Sequence, residues 1–178
     1  HSVERMPPGQ LDFRISHRFG TVNSGAYEFF GLDQANIHFS LEYGIFDWMM
    51  IGVGRGTYEK TYDAFTKLTI LRQSTGARVM PVTLSFFTSA ALRTYKWPDP
   101  DRTNYFSSRL AYTSQLLIAR KMSQGLSLQL TPSYVHRNLV ATELDPNDLW
   151  AVGAGGRLKL TKRISLNAEY FYLVNADN

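Results

Sequence analysis

The chain has 178 residues and no cysteine, and 19 lysines and arginines against 15 aspartates and glutamates give a net charge of +4. One domain is expected at this length, and the lack of cysteine excludes disulfides and thiolate metal sites. A mean hydropathy of -0.23 excludes both a helical membrane protein and a disordered chain. The positive charges are spread along the chain, so nucleic acid is not an expected partner.

Residues 1–10, which include Pro7-Pro8-Gly9, are predicted to be an arm or linker that leads into a single domain at 11–178. No signal peptide is seen at the start, so we expect either that one has been removed or that the sequence is a fragment. The first predicted strand covers 11–19, and a loop rich in glycine, asparagine and phenylalanine follows it.

The clearest strand is predicted at 35–43, where odd positions are apolar or aromatic and even positions are polar. Side chains alternate between the two faces of a strand, so the polar face carries Asn36, His38, Ser40 and Glu42. A break at 44–47 then turns the chain into a second apolar run. Such a hairpin suits either a half-buried soluble sheet or the wall of a transmembrane β-barrel.

The rest of the chain favours the membrane. About nine strands are predicted, at 11–19, 35–43, 48–58, 61–71, 82–92, 106–119, 126–136, 150–160 and 164–172. Most are long enough to cross a bilayer at a tilt, whereas strands of soluble sandwiches are commonly about 5–6 residues long. The connections alternate between long polar loops and short turns, and aromatic residues cluster near strand ends. We therefore predict an all-β, antiparallel, up-and-down transmembrane β-barrel.

Several short motifs carry a resemblance to a known family. They are Ile15-Ser16-His17-Arg18-Phe19-Gly20, Phe29-Phe30-Gly31-Leu32-Asp33, Tyr43-Gly44-Ile45, Gly52-Val53-Gly54-Arg55-Gly56 and Lys60-Thr61-Tyr62-Asp63. Together they resemble an uncharacterised outer-membrane β-barrel family of Bacteroidota, a domain-of-unknown-function family. The resemblance covers mainly 3–81, and it implies location and fold but no activity. It also implies further strands after the end of this chain. Bacterial barrels close with an even number of strands, so the chain is expected to be incomplete.

The polar face of the strands is predicted to line a lumen. Its members are Arg14, Arg18, His38, Glu42, Lys67, Arg109, Gln115, Gln129, Arg157, Lys159 and Glu169. Two interpretations remain open, because barrel width depends on the number of strands. In a narrow barrel these residues would pair into a charge-compensated plug, whereas in a wide one they would line a water-filled, anion-favouring channel.

Other motifs are expected to be structural. His38, Ser40 and Glu42 share a strand face and suggest a lipid-modifying hydrolase, but that face would point away from lipid. The glycines at 52, 54 and 56 lack the Lys-Ser/Thr and helix of a phosphate loop, and are expected to leave room for a bulky neighbour, with Arg55 on the opposite face. The histidines have no metal-ligand spacing. The loop carboxylates Asp99, Asp101, Asp145 and Asp148 suit turns better than a calcium site.

From sequence we expect a barrel of the Gram-negative outer membrane without catalytic activity, cofactor or metal. Its expected role is a small-solute pore with an anion-leaning lumen. The alternatives are a structural subunit of an envelope complex and a lipid-modifying hydrolase. Its expected partners are outer-membrane lipid and other envelope proteins.

Overall fold

A computed structural model of the chain describes residues 1–77, 79–97, 100–101 and 103–174. It contains one sheet of nine strands, in which each strand pairs antiparallel with the next along the chain. The strands are β1 (Leu11–Phe19), β2 (Ala35–Phe46), β3 (Met49–Gly56), β4 (Tyr62–Leu71), β5 (Thr83–Leu92), β6 (Leu110–Lys121), β7 (Leu126–Arg137), β8 (Asp148–Lys159) and β9 (Ser165–Leu173). The sheet curls into a half-barrel with β1 and β9 at its edges. The predicted nine-stranded, up-and-down antiparallel architecture is confirmed.

Because polar and apolar residues alternate along the strands, the sheet has two chemically different faces. In β2, Phe39 and Leu41 are 41% and 44% exposed, whereas Ser40 and Glu42 between them are 5% and 6% exposed. The polar side chains are buried because they lie on the concave, inner face of the sheet. The apolar side chains point outward from the convex face. An apolar outer face with polar groups inside is the pattern of a barrel wall that meets lipid.

Connections at the two ends of the strands differ in length. One end, called here the loop end, carries the connections 20–34, 57–61, 93–109 and 138–147. The opposite turn end carries 47–48, 72–82, 122–125 and 160–164. The predicted alternation of long and short connections therefore holds except at 57–61, which is short, and at 72–82, which is long.

The described helices are four 3₁₀ segments of three to six residues. None of them is long and apolar enough to cross a membrane.

Residues 1–10 form an arm that enters the half-barrel at its turn end. The backbone of Gly44 holds the C-terminal end of the arm, because its carbonyl accepts a hydrogen bond from Gly9 N (2.8 Å) and its N–H donates one to the Gln10 carbonyl (3.1 Å). Further in, Val3 N donates to Gln129 Oε1 (3.2 Å), and Gln129 Nε2 donates to the carbonyl of His1 (2.9 Å). The arm thus lies against the inner face, tied by its ends to β2 and β7.

The inner face also contains an apolar cluster that the sequence analysis did not predict. It consists of Met50, Phe65, Phe87 and Leu117, with Val3 and Met6 of the arm packed against it. The ring of His1 stacks on Phe87 with 3.9 Å between ring centroids. The arm and four neighbouring strands therefore share one small core, which gives the arm a fixed place.

Candidate lumen

Most of the residues predicted to line a lumen lie together on the inner face. Strand register connects them: Glu42 lies opposite Asp12 of β1, Lys67 opposite Phe87, and Phe87 opposite Gln115. Across the other half, Gln129 lies opposite Gly155, which in turn lies opposite Glu169. The inner-face members on strands are Arg14, Arg18, His38, Glu42, Lys67, Gln115, Gln129, Arg157, Lys159 and Glu169.

Arg109 is the exception, and its prediction needs correction. We expected it in a strand that starts at residue 106, but residues Phe106–Arg109 form a 3₁₀ turn and β6 starts at Leu110. One guanidinium nitrogen of Arg109 donates to the carbonyls of Arg93 (3.0 Å) and Tyr95 (2.8 Å). The guanidinium also lies 4.2 Å from the ring centroid of Trp97. Arg109 therefore clamps the β5–β6 loop, because backbone carbonyls and an aromatic face within that loop satisfy its charge.

Charges on the β1–β4 side of the inner face are largely paired. Arg14 contacts Asp12 (3.0 Å) and the buried Glu42 (3.2 Å). Lys67 is 5% exposed and donates from Nζ to the carbonyl of Glu4 in the arm (2.7 Å). These contacts give the buried charges the partners they need, and they anchor the arm beside them.

His38 and Ser40 line the same cavity, but each has a hydrogen-bond partner other than the other. Nε2 of His38 lies 2.6 Å from Oδ1 of Asp63, while the Ser40 hydroxyl donates to Oε1 of Glu42 over 3.5 Å. The His38–Asp63 pair was missed by the sequence analysis, because Asp63 is 25 residues away and reaches His38 only through strand pairing. The two side chains on which the hydrolase interpretation rests therefore have different partners.

The glycines of β3 leave space for neighbouring side chains, as predicted. A Cβ on Gly54 would lie 2.6 Å from Nε2 of His38, and one on Gly52 would overlap the ring of Phe65. The glycines therefore admit the His38 and Phe65 rings over the strand. Arg55 lies on the outer face, 5.1 Å from the ring centroid of Tyr62.

Two cavities flank the arm inside the half-barrel. One of about 620 Å³ lies between the first four residues of the arm and the inner wall of β6–β9, and it is lined by Gln129, Arg157, Asn167 and Glu169 among others. The second, of about 360 Å³, lies on the other side of the arm beside Arg18, His38 and Asp63. Open space lined by both polar and apolar groups is thus retained next to the arm on both sides.

The loop carboxylates that the structure describes take part in local contacts. Oδ2 of Asp145 accepts bonds from the N–H and the hydroxyl of Thr142, both at 2.9 Å, which is turn chemistry. Oδ1 of Asp148 lies 2.6 Å from both the Tyr134 hydroxyl and Nδ1 of His136. Within the described ranges no group of three or more His, Asp or Glu residues is placed to hold a metal ion. Asp99 lies outside the described residues.

Aromatic side chains lie near the strand ends on the outer face. Phe46 and Trp48 stack with 5.5 Å between their centroids at the turn end, and Tyr134 and Trp150 lie 4.7 Å apart near the loop end. Aromatic residues at both ends of the strands form the belts expected where a protein crosses the two bilayer interfaces. Together with the apolar outer face and the polar inner face, they define a membrane-spanning β-barrel wall.

A family model described as "Membrane bound beta barrel domain (DUF5777)" matches residues 1–178. The chain belongs to this family of membrane-bound β-barrel domains of unknown function. The match covers the whole chain, whereas the motifs read from sequence covered mainly 3–81. No curated protein and no solved structure matches the chain.

Proposed function

We propose that this protein lets small polar solutes, preferentially anions, pass through an outer-membrane β-barrel beside its N-terminal arm. The observation that carries the proposal is the cavity of about 620 Å³ between the arm and β6–β9, whose lining includes Gln129, Arg157, Asn167 and Glu169. The arm fills the space against β3–β6 with apolar packing, so the remaining polar wall offers the route for solutes. Polar side chains along such a route replace part of the hydration of a small solute.

Cations of the inner face that have no ion-pair partner in the described ranges support an anion preference. Arg18, Arg157 and Lys159 are on the inner face, and none has a carboxylate within 4.0 Å among the described residues. Arg14, by contrast, is paired with Glu42. Arg157 shares the lining of the cavity with the carboxylates Glu4 and Glu169, so the anion preference rests on the cations of the inner face as a whole, which would raise the local concentration of anions.

We place the barrel in the outer membrane of a Gram-negative bacterium, and the resemblance noted above supports Bacteroidota. Membrane-spanning barrels with long outer loops and tighter inner turns are typical of that membrane. The loop end would then face outside and the arm would enter from the periplasmic side. Outer-membrane lipid is the proposed partner of the outer face, and no catalytic activity is proposed.

A second function is a structural subunit of an envelope complex with other envelope proteins. The apolar cluster shared by the arm and β3–β6 supports it, because a filled inner face resembles a plug more than a channel. A hydrolase has less support, because Ser40 donates to Glu42 and not to His38.

Ion conductance of the full-length protein in a planar bilayer tests the proposal. We expect channels that pass chloride better than potassium. Replacing two inner-face cations of β8, Arg157→Glu with Lys159→Glu, should move the reversal potential in a salt gradient toward cation selectivity, because two positive charges become negative and the charge of the wall falls by four units. The matched control is Lys162→Glu with Arg163→Glu, which makes the same change of charge in the exposed β8–β9 turn.

The control pair should leave the reversal potential close to that of the unmodified protein. A silent bilayer from folded protein would contradict solute passage and favour the structural subunit. Equal shifts in both double variants would show that wall charge does not set selectivity.

A further inference from the structure

An apolar groove of about 550 Å³ crosses the outer face of the half-barrel between β1 and β6. Val53, Ala64 and Ala90 are register neighbours on β3, β4 and β5, and their small side chains form its floor. Larger side chains, among them Phe39 and Leu92, border it. Small residues between large ones therefore form a groove on the outer face whose walls are almost wholly apolar.

Arg55 is the one cation that borders this groove among the described residues. It is the penultimate residue of β3, so it lies near the loop end, and Phe39 and Tyr62 are its register neighbours on the two adjacent strands. No carboxylate of the described residues lies within ion-pairing distance of it. An arginine on the lipid-facing side of a barrel is costly in hydrocarbon and tolerated at the interface, where lipid phosphates lie.

We propose that the groove and Arg55 form a binding site for one anionic, phosphate-bearing lipid. An acyl chain would lie over Val53, Ala64 and Ala90, and the headgroup phosphate would accept hydrogen bonds from the Arg55 guanidinium. The planar guanidinium matches phosphate geometry, and its contact with the Tyr62 ring holds it in place. The site lies on the face opposite the solute route. The proposal therefore rests on the barrel being in a membrane, and it does not depend on the barrel conducting solutes.

A second copy of the chain is the competing occupant of an apolar groove. The lipid is favoured because the groove combines an apolar floor with a single cation placed at the depth of the headgroups. A second copy would have to bring a carboxylate to Arg55 to satisfy the same charge.

Native mass spectrometry of the full-length protein from detergent tests the site, with phosphatidylglycerol and phosphatidylcholine as probes. The unmodified protein should retain phosphatidylglycerol over phosphatidylcholine. Arg55→Gln should lower retention of phosphatidylglycerol about fivefold, the effect of one cation near a lipid surface, and leave phosphatidylcholine unchanged. The control Arg120→Gln removes another outer-face arginine, on β6 and outside the groove, and should change neither.

A larger side chain in the floor of the groove provides a second, independent test of the site. Ala90→Leu should lower retention of both lipids, whereas Ala154→Leu, on the outer face of β8 and away from the groove, should not. A shift in gel mobility on heating checks that each variant is folded, and bilayer conductance should be unchanged in all four. Equal retention of the two lipids by the unmodified protein, or full retention of phosphatidylglycerol by Arg55→Gln, would overturn the proposal. A dimer that carries no lipid would assign the groove to a second copy.

Discussion

Phe87→Ala is expected to lower the free energy of unfolding by about 3–5 kcal/mol, the usual cost of removing a buried phenylalanine ring. Phe87 is 3% exposed and packs against Phe65, with 5.4 Å between ring centroids. It also carries the stacked ring of His1, so its loss removes the surface on which the arm rests. We therefore expect the arm to be released as well as the wall to be weakened.

Urea unfolding from lipid vesicles, followed by tryptophan fluorescence, measures the stability change, and trypsin measures the state of the arm. Arg5 is 7% exposed in its side chain, so cleavage after Arg5 reports an undocked arm. The matched control is Phe86→Ala, because Phe86 is the preceding residue of β5 and points to the outer face. It should leave the arm protected. Equal protection in both variants would contradict the shared core.

Gly44→Ala is expected to displace the arm while the strands stay paired. A Cβ at this position would lie 2.6 Å from the carbonyl oxygen of Met6 and would overlap Pro7. These are backbone atoms, which cannot swing aside as a side chain can, so the arm itself must move. The two hydrogen bonds between Gly44 and residues 9 and 10 would be lost with it. Overpacking of this kind commonly costs about 1–3 kcal/mol.

Trypsin cleavage after Arg5 and bilayer conductance together measure this effect. We expect rapid cleavage, and under the proposed solute route a larger conductance, because the arm no longer narrows the passage. Gly56→Ala is the control: its Cβ would lie on the same face at 3.6 Å from the nearest side-chain atom. An arm that remains fully protected in Gly44→Ala would contradict the close approach of Pro7 to β2.

Much of the wall was predictable from sequence, because alternation directly encodes the two faces of a strand. The bounds of β1 agree with those predicted, and the outer and inner sets of β2 follow the odd and even positions. The same rule placed Arg157 and Glu169 on the inner face, although they belong to different strands.

The contact between the inner core and the arm could not be predicted by the same rule. Leu117 and Phe65 lie two residues from Gln115 and Lys67 and share their face, but alternation does not show that these apolar side chains pack against residues 3 and 6 of the arm. The arm has no periodicity, and its place depends on contacts such as Val3 with Gln129, 126 residues apart. Arg109 has the right parity for the inner row, but a 3₁₀ turn and the ring of Trp97 direct it into the loop.

The central claim is that one face of the sheet meets lipid and the other meets the arm and the solute route. The chain has no cysteine, so single cysteines in β7 can be spin-labelled directly at residues 128, 129, 130 and 131. In lipid vesicles, labels at 128 and 130 should be accessible to oxygen, which partitions into hydrocarbon, because Leu128 and Leu130 are 47% and 53% exposed on the outer face. Labels at 129 and 131 should not be accessible to oxygen, because these positions lie on the inner face, where Thr131 is 3% exposed. Equal or inverted oxygen accessibility across the four positions would contradict the account.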